Sequence, residues 1–233
     1  REMHDHAELG VAAHWKYKEG ARTNAAYEQK IVWLRQILEP GERGETEGDF
    51  LERGYAASPL LHKEAVIVPV GGTGHALMAF RQKDGTVLWS AGDLKNAYSS
   101  PILIRAKGQE QVVSFMAEHV MGADAATGKV LWTIGHKTMH DINAATPAWC
   151  EEAGVLVVSS GYDGGARGIK VDSGAKEIWN HRRLRVHHTN MVCKDGFVYG
   201  SSGDFGPAPL TAVDVRTGAV LWQNRAFAKA SFV

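Results

Sequence analysis

Four tryptophans, Trp89, Trp132, Trp179 and Trp222, recur at intervals of 43, 47 and 43 residues. That interval is the length of a four-stranded propeller blade. Three further features recur in the same order. Each unit opens on a small polar residue, usually before proline: Ser58-Pro59, Ser100-Pro101, Thr146-Pro147 and Asn190-Met191. An alternating β-branched strand follows, such as Ala65-Val66-Ile67-Val68-Pro69-Val70 or Gly154-Val155-Leu156-Val157-Val158-Ser159. A tight turn then leads into the tryptophan strand: Lys83-Asp84-Gly85, Ala126-Thr127-Gly128, Asp172-Ser173-Gly174 and Arg216-Thr217-Gly218. Glycine there tolerates the positive φ that such turns demand. The expected fold is mainly β: a partial β-propeller of four four-stranded antiparallel blades over residues 54–233, with a short N-terminal helical pair ahead of it.

The first 39 residues have a different periodicity. Apolar residues at 3, 7, 11 and 15 form one helical stripe, and Tyr27, Ile31, Leu34 and Leu38 form a second. Gly20 ends the first helix, Asn24 caps the second, and Pro40-Gly41 ends that. Residues 40–53 are polar and glycine-rich and read as a linker. Twenty-six basic residues balance 26 acidic ones, so charge gives no case for a nucleic acid or an anionic membrane surface as partner. No apolar stretch is long enough for membrane insertion, and no signal peptide is visible. Cys150 and Cys193 occupy matching places in neighbouring repeats; their placement permits a disulfide without requiring one, and no metal-type cysteine spacing exists.

Two resemblances add to this reading. The string from Glu2 to Gly20, EMHDHAELGVAAHWKYKEG, followed by KIVWLRQILE, resembles the tail of the synthetase domain of stringent-response (p)ppGpp synthetases, over about residues 1–52. In that family the magnesium ligands and phosphate-gripping residues lie upstream of this string, so the segment implies no (p)ppGpp synthesis here. His4, His6 and His14 are read as solvated or packed against a helix. Ala123-Asp124-Ala125-Ala126-Thr127-Gly128-Lys129-Val130-Leu131-Trp132 and Val213-Asp214-Val215-Arg216-Thr217-Gly218-Ala219-Val220-Leu221-Trp222 are similar to the repeat of quinoprotein-like (PQQ-like) β-propellers. That resemblance covers about residues 54–233. It gives Asp124, Thr127, Asp214 and Thr217 the task of tying down a turn, and Trp132 and Trp222, with Trp89 and Trp179, that of docking on the adjacent blade. The first unit departs from the pattern with Arg81 in the aspartate position, and the third shifts the aspartate to Asp172. The adjacent cysteines of quinone-binding members are missing, so PQQ is not expected.

Strand parity places any site. In a four-stranded antiparallel blade, the link into the first strand and the bend between the second and third strands emerge at the same end. The links hold Asn96-Ala97-Tyr98-Ser99, His140-Asp141-Ile142-Asn143, Arg185-Val186-His187-His188-Thr189-Asn190 and Ala228-Lys229-Ala230-Ser231. The bends hold Gly71-Gly72-Thr73-Gly74-His75, Gly161-Tyr162-Asp163-Gly164-Gly165-Ala166-Arg167 and Gly203-Asp204-Phe205-Gly206-Pro207. One face therefore collects the polar and aromatic groups, and the other carries turns.

Two functional readings follow. In the first, the polar face is a platform for a peptide, protein or small molecule, with Tyr98, Asn143, Tyr162, Arg167, His187, His188 and Lys229 as contacts. In the second, Asp163, Asp204, His187 and His188 hold a divalent ion, calcium by preference, that activates water for ester or lactone hydrolysis. No G-x-S-x-G, H-E-x-x-H or P-loop string is present. Members of the propeller family usually close six to eight blades and are often periplasmic. Four blades after a fragment of an unrelated enzyme suggest a chimeric or metagenomic fusion. A homodimer that completes the ring from two half-rings is the expected assembly.

Overall fold

The computed structural model describes residues 55–204 and 206–226. The expected helices over residues 1–39, the linker and Lys229 lie outside the described residues. Within them are four four-stranded antiparallel sheets, each built from strands consecutive in sequence. Blade one holds β1 (Leu60–His62), β2 (Ala65–Pro69), β3 (Leu77–Arg81) and β4 (Val87–Ala91). Blade two holds β5 (Ile102–Ala106), β6 (Gln109–Phe115), β7 (His119–Asp124) and β8 (Val130–Gly135). Blade three holds β9 (Ala148–Cys150), β10 (Val155–Ser160), β11 (Gly165–Val171) and β12 (Ala175–His181). Blade four holds β13 (Val192–Lys194), β14 (Phe197–Ser201), β15 (Leu210–Asp214) and β16 (Val220–Asn224).

The second and third strands are buried on both faces, which explains their nearly continuous apolar runs. Alternate residues of each run feed different interblade clusters. Ile67, Ala79, Val112 and Met121 join blades one and two; Val113, Phe115, Leu156 and Ile169 join two and three; Val155, Val157, Val198 and Val213 join three and four. Cys150 and Cys193 form a disulfide between β9 and β13, with a Cα–Cα distance of 5.5 Å. The bond that the sequence left open thus ties the first strands of blades three and four together.

Each tryptophan stands directly across from a small residue: Trp89 from Ala79, Trp132 from Gly122, Trp179 from Gly168 and Trp222 from Ala212. The indole lies flat over that position, so a Cβ on Gly122 would come within 2.1 Å of Trp132 Cε2. In every blade the residue before the tryptophan (Leu88, Leu131, Ile178 or Leu221) is the extra residue of a β-bulge. The bulge turns the indole onto the sheet and bends the fourth strand. Trp89 then reaches blade two, where a Cβ on Gly128 would lie 2.5 Å from its ring. Trp179 donates Nε1–H to the Val215 carbonyl of blade four (2.7 Å), and Trp132, 7% exposed, packs among blade-three residues. Trp222 departs from the docking role expected of it: it is 44% exposed, because no described element lies against its outer side.

The turns before the tryptophans are held by their aspartates. Asp124 Oδ1 accepts from the Ala126 and Thr127 amides and the Thr127 hydroxyl, and Asp214 Oδ1 accepts from the Arg216 and Thr217 amides. The Gln109 amide and these donors lower the Asp124 pKa; for Asp214, burial pushes upward and the Thr217 and Arg216 donors outweigh it. In blade one, where Arg81 replaces the aspartate, Asp84 takes over by accepting from the Thr86 amide and hydroxyl.

Candidate functional site

The links and the central bends meet at one end of the sheets. The Gly72 amide donates to Leu94 O (2.9 Å), the Ala117 amide to Lys95 O (3.1 Å) and the Gly203 amide to Arg185 O (2.8 Å). Buried side chains latch these junctions. Asn96 Nδ2 donates to Pro69 O (3.1 Å), and Asn143 Nδ2 donates to both Met116 O (2.7 Å) and Ala117 O (2.8 Å). His187 occupies the place matching Asn143 and sits over Gly161, where a Cβ would meet its ring at 2.8 Å. Asn143 and His187 are both fully buried. Their expected role as ligand contacts is corrected accordingly: both side chains are turned inward and hold the frame.

Around the buried His187 runs an aromatic row whose other members reach the surface. The rings of His140, Tyr162 and His187 meet edge to face at centroid distances of 4.9 and 4.7 Å, and His188 lies 3.6 Å from His187. His188 is exposed, and Tyr98, His140 and Tyr162 are half-buried. Tyr162 is held in this row by an unusual turn. Gly161 to Gly164 close an i to i+3 hydrogen bond of 2.9 Å, and the central residues Tyr162 and Asp163 have φ of 47° and 65°. Two positive φ values in succession mark the type I′ turn, which favours Asn-Gly at those positions. A bulky tyrosine there is conformationally costly, on the order of 1–3 kcal/mol.

Beneath the row lies a polar network. Arg167 donates Nε–H to His136 Nδ1 (3.0 Å) and pairs with Glu177 through Nη1. An arginine can only donate, so Nδ1 of His136 must accept and the ring proton sits on Nε2. That proton is given to Ser160 Oγ, 2.7 Å away. A histidine already donating to the hydroxyl cannot serve it as a base, so the Ser160–His136 pair is structural. Burial, with the Arg167 charge beside it, pushes the His136 pKa down to about 3. Gly164 seals the pair from above, since a Cβ there would lie 1.9 Å from Ser160 Oγ. Arg167, expected to contact ligand, is thus committed to the interior at its Nε and to Glu177 at its Nη1.

At the blade-four end of the same face is a cleft of about 500 Å³. Its walls are the link residues Arg182, Arg183 and Arg185, the bend residues Ser202 to Asp204 and Pro207 to Pro209, and Gln223 and Arg225 at the end of β16. Four arginines and one carboxylate, Asp204, therefore line the cleft, and Asp204 Oδ2 lies 3.6 Å from Arg185 Nη1. This changes the reading of Asp204. A carboxylate paired with one arginine in a cleft that three more arginines line is a poor place for a cation, and the cleft is a better one for an anion. The other expected metal ligands do not converge on it: Asp163 is exposed on its own turn, His187 is latched over Gly161, and His188 stacks on His187. The described residues contain no group of three or more His, Cys, Asp or Glu side chains arranged to share a metal ion. The cysteines pair with each other 43 residues apart, so no disulfide of adjacent cysteines stands ready to stack on a quinone. The sequence placed His140 and Arg185 in the links at this end without singling them out as contacts, and it missed His136 and the grouping of the arginines, which depends on four strands bringing Arg225 back to the link.

Comparison with known proteins resolves the two kinds of sequence in the chain. The GTP pyrophosphokinase of Haemophilus influenzae is 43% identical over 83 residues, and that of Escherichia coli K12 is 39% identical over 85. Each match covers 31% of this chain, and the chain spans 11% of either enzyme. The chain thus carries a fragment of the (p)ppGpp synthetase type. Among solved structures, BamB from Moraxella catarrhalis superposes with a TM-score of 0.59 at 19% identity, over 75% of this chain and 53% of that one. A quinohemoprotein alcohol dehydrogenase from Pseudomonas putida HK5 superposes with a TM-score of 0.55 at 15% identity, over 75% of this chain and 35% of that one. At such identities these likenesses speak for the propeller fold alone. The sequence match to the family described as outer membrane protein assembly factor BamB extends over residues 29–224, and the chain belongs to that family.

Proposed function

We propose that the propeller part of this chain is a protein-binding scaffold, and that its contact surface is the face where links and bends meet. The observation that carries this reading is the Tyr162-Asp163 turn. A sequence free to choose would place Asn-Gly in a turn with two positive φ values; here the chain keeps a tyrosine there and lines it up with two histidines. Strain held against local preference, on a frame latched by Asn96, Asn143 and His187, is what a preorganised contact surface requires. Tyrosine and histidine are also adaptable contacts, with an apolar body and a polar tip. Membership of a family described as an outer membrane protein assembly factor supports a polypeptide partner. The Cys150–Cys193 disulfide fits an oxidising compartment such as the periplasm.

Site-specific photo-crosslinking tests this. A photoreactive residue at Asp163, on the polar face, should capture a defined polypeptide from a bacterial envelope extract, and excess unlabelled protein should compete it away. The same residue at Ala126, on the opposite turns, should not. Equal capture from both positions would contradict the reading.

A further inference from the structure

The cleft at the blade-four end of this face has a chemistry of its own. Three of its four arginines, Arg182, Arg183 and Arg225, are exposed, and no ion pair among the described residues involves them. Arg185 is the one that meets Asp204. The four arginines line the cleft from two separate parts of the chain, the link before β13 and the end of β16. Like charges brought together without counter-charges repel one another, and an anionic occupant relieves that cost. Elsewhere on the described surface Arg105 pairs with Glu110 and the half-buried Arg81 with Glu64 and Asp84, while Arg216 stands alone on its turn, away from other arginines.

We infer that this arginine-lined cleft is the docking site for an acidic, carboxylate-rich segment of a partner polypeptide. Its volume of about 500 Å³ falls in the range of sites that enclose several functional groups, and it is far larger than one inorganic oxyanion would fill. Guanidinium forks match planar carboxylates in a bidentate manner, and several of them along one groove match several carboxylates along one extended chain. Pro207, which is exposed, and the half-buried Pro209 give the aliphatic stems of such a segment an apolar surface to lie against. The exposed Gln223 adds a polar contact, while buried Ser202 braces the link by accepting from the Arg185 amide and donating to the Arg183 carbonyl. This inference rests on the scaffold reading and specifies the chemistry of its partner.

The test uses the full chain and a fluorescein-labelled peptide of about twelve residues alternating glutamate with alanine, followed by anisotropy. The glutamate peptide should bind saturably and more weakly as salt is raised; a lysine counterpart should not bind. A double variant, Arg183→Gln with Arg225→Gln, should weaken binding about ten-fold, as expected for two exposed ion pairs. Arg216→Gln, a charge loss on the opposite turns, should leave it unchanged. Binding that falls as much in Arg216→Gln as in the double variant would overturn the inference, as would no binding of the glutamate peptide. Saturable binding of citrate or inorganic phosphate with no binding of the peptide would also overturn it, in favour of a small-anion site. If the peptide fails while Asp163 still captures its partner, the scaffold stands and only the acidic-segment inference falls.

Discussion

Acidification should weaken this fold earlier than its carboxylates alone would allow, and His136 is the reason. Its pKa is held at about 3 in the folded protein, against 6.5 for a free histidine, chiefly by burial and next by the Arg167 charge. The unfolded chain therefore takes up a proton below about pH 6.5 that the folded chain refuses. The neutral form is the folded form, so this contribution is complete above pH 6.5 and is lost as pH falls toward 3. Each pH unit inside the window costs about 1.4 kcal/mol, so going from about pH 7.5 to about pH 5 should remove roughly 2 kcal/mol. The carboxylates act lower. Asp124 and Asp214 have lowered pKa values, so their contribution is present above about pH 4 and is lost only below it. Urea melts at a series of pH values would measure the slope, with His136→Gln as the partner experiment. Glutamine can still reach Ser160 but cannot titrate, and the variant should lose most of the slope between about pH 6.5 and pH 5. A slope that survives the substitution unchanged would refute the assignment to His136.

Three other outcomes follow from the packing. Trp132→Ala should cost about 3–5 kcal/mol in a urea melt, as for a buried aromatic, and Trp222→Ala less than half of that because its ring is 44% exposed; equal costs would mean Trp222 is docked after all. Gly122→Ala should lose at least about 1–3 kcal/mol by forcing a methyl into the Trp132 indole, whereas Gly108→Ala, with open space around it, should lose only the strain of its left-handed φ. Replacing Cys150 and Cys193 with alanine should lower stability by up to about 4 kcal/mol, the chain-entropy value for a closed loop of 43 residues; thermal melts under oxidising and reducing conditions should show the same difference in the parent protein.

The tryptophan period was enough to expect four four-stranded blades, and the described residues form four four-stranded sheets. It succeeded because a blade is a local unit: its strands are consecutive and its turns carry their own chemistry. The same repeat also held a signal that was there to be read. The residue across from each tryptophan is alanine or glycine, and the residue before it is an aliphatic one squeezed out as a bulge. Strand parity put the links and bends at one end, where their backbones do meet, but side-chain direction within a link is not periodic. Asn143 and His187 look outward in the sequence and point inward in the fold, because a bend of the preceding blade supplies carbonyls to one and a glycine hollow to the other. Arg182, Arg183 and Arg185 lie close together in the sequence, where nothing local marks a cleft. Only the return of β16, which brings Arg225 against them, makes them a cleft.

The scaffold account stands most directly on Tyr162, whose backbone is strained and whose ring stands in the aromatic row. Tyr162→Asn places a residue that favours positive φ in the turn, so relief of strain should offset the lost ring contacts and leave stability within about 1 kcal/mol of the parent. Measured beside that stability, partner capture by the photoreactive residue at Asp163 should fall at least several-fold. Capture that persists at full strength in a stably folded Tyr162→Asn protein would contradict the claim that this face is the contact surface.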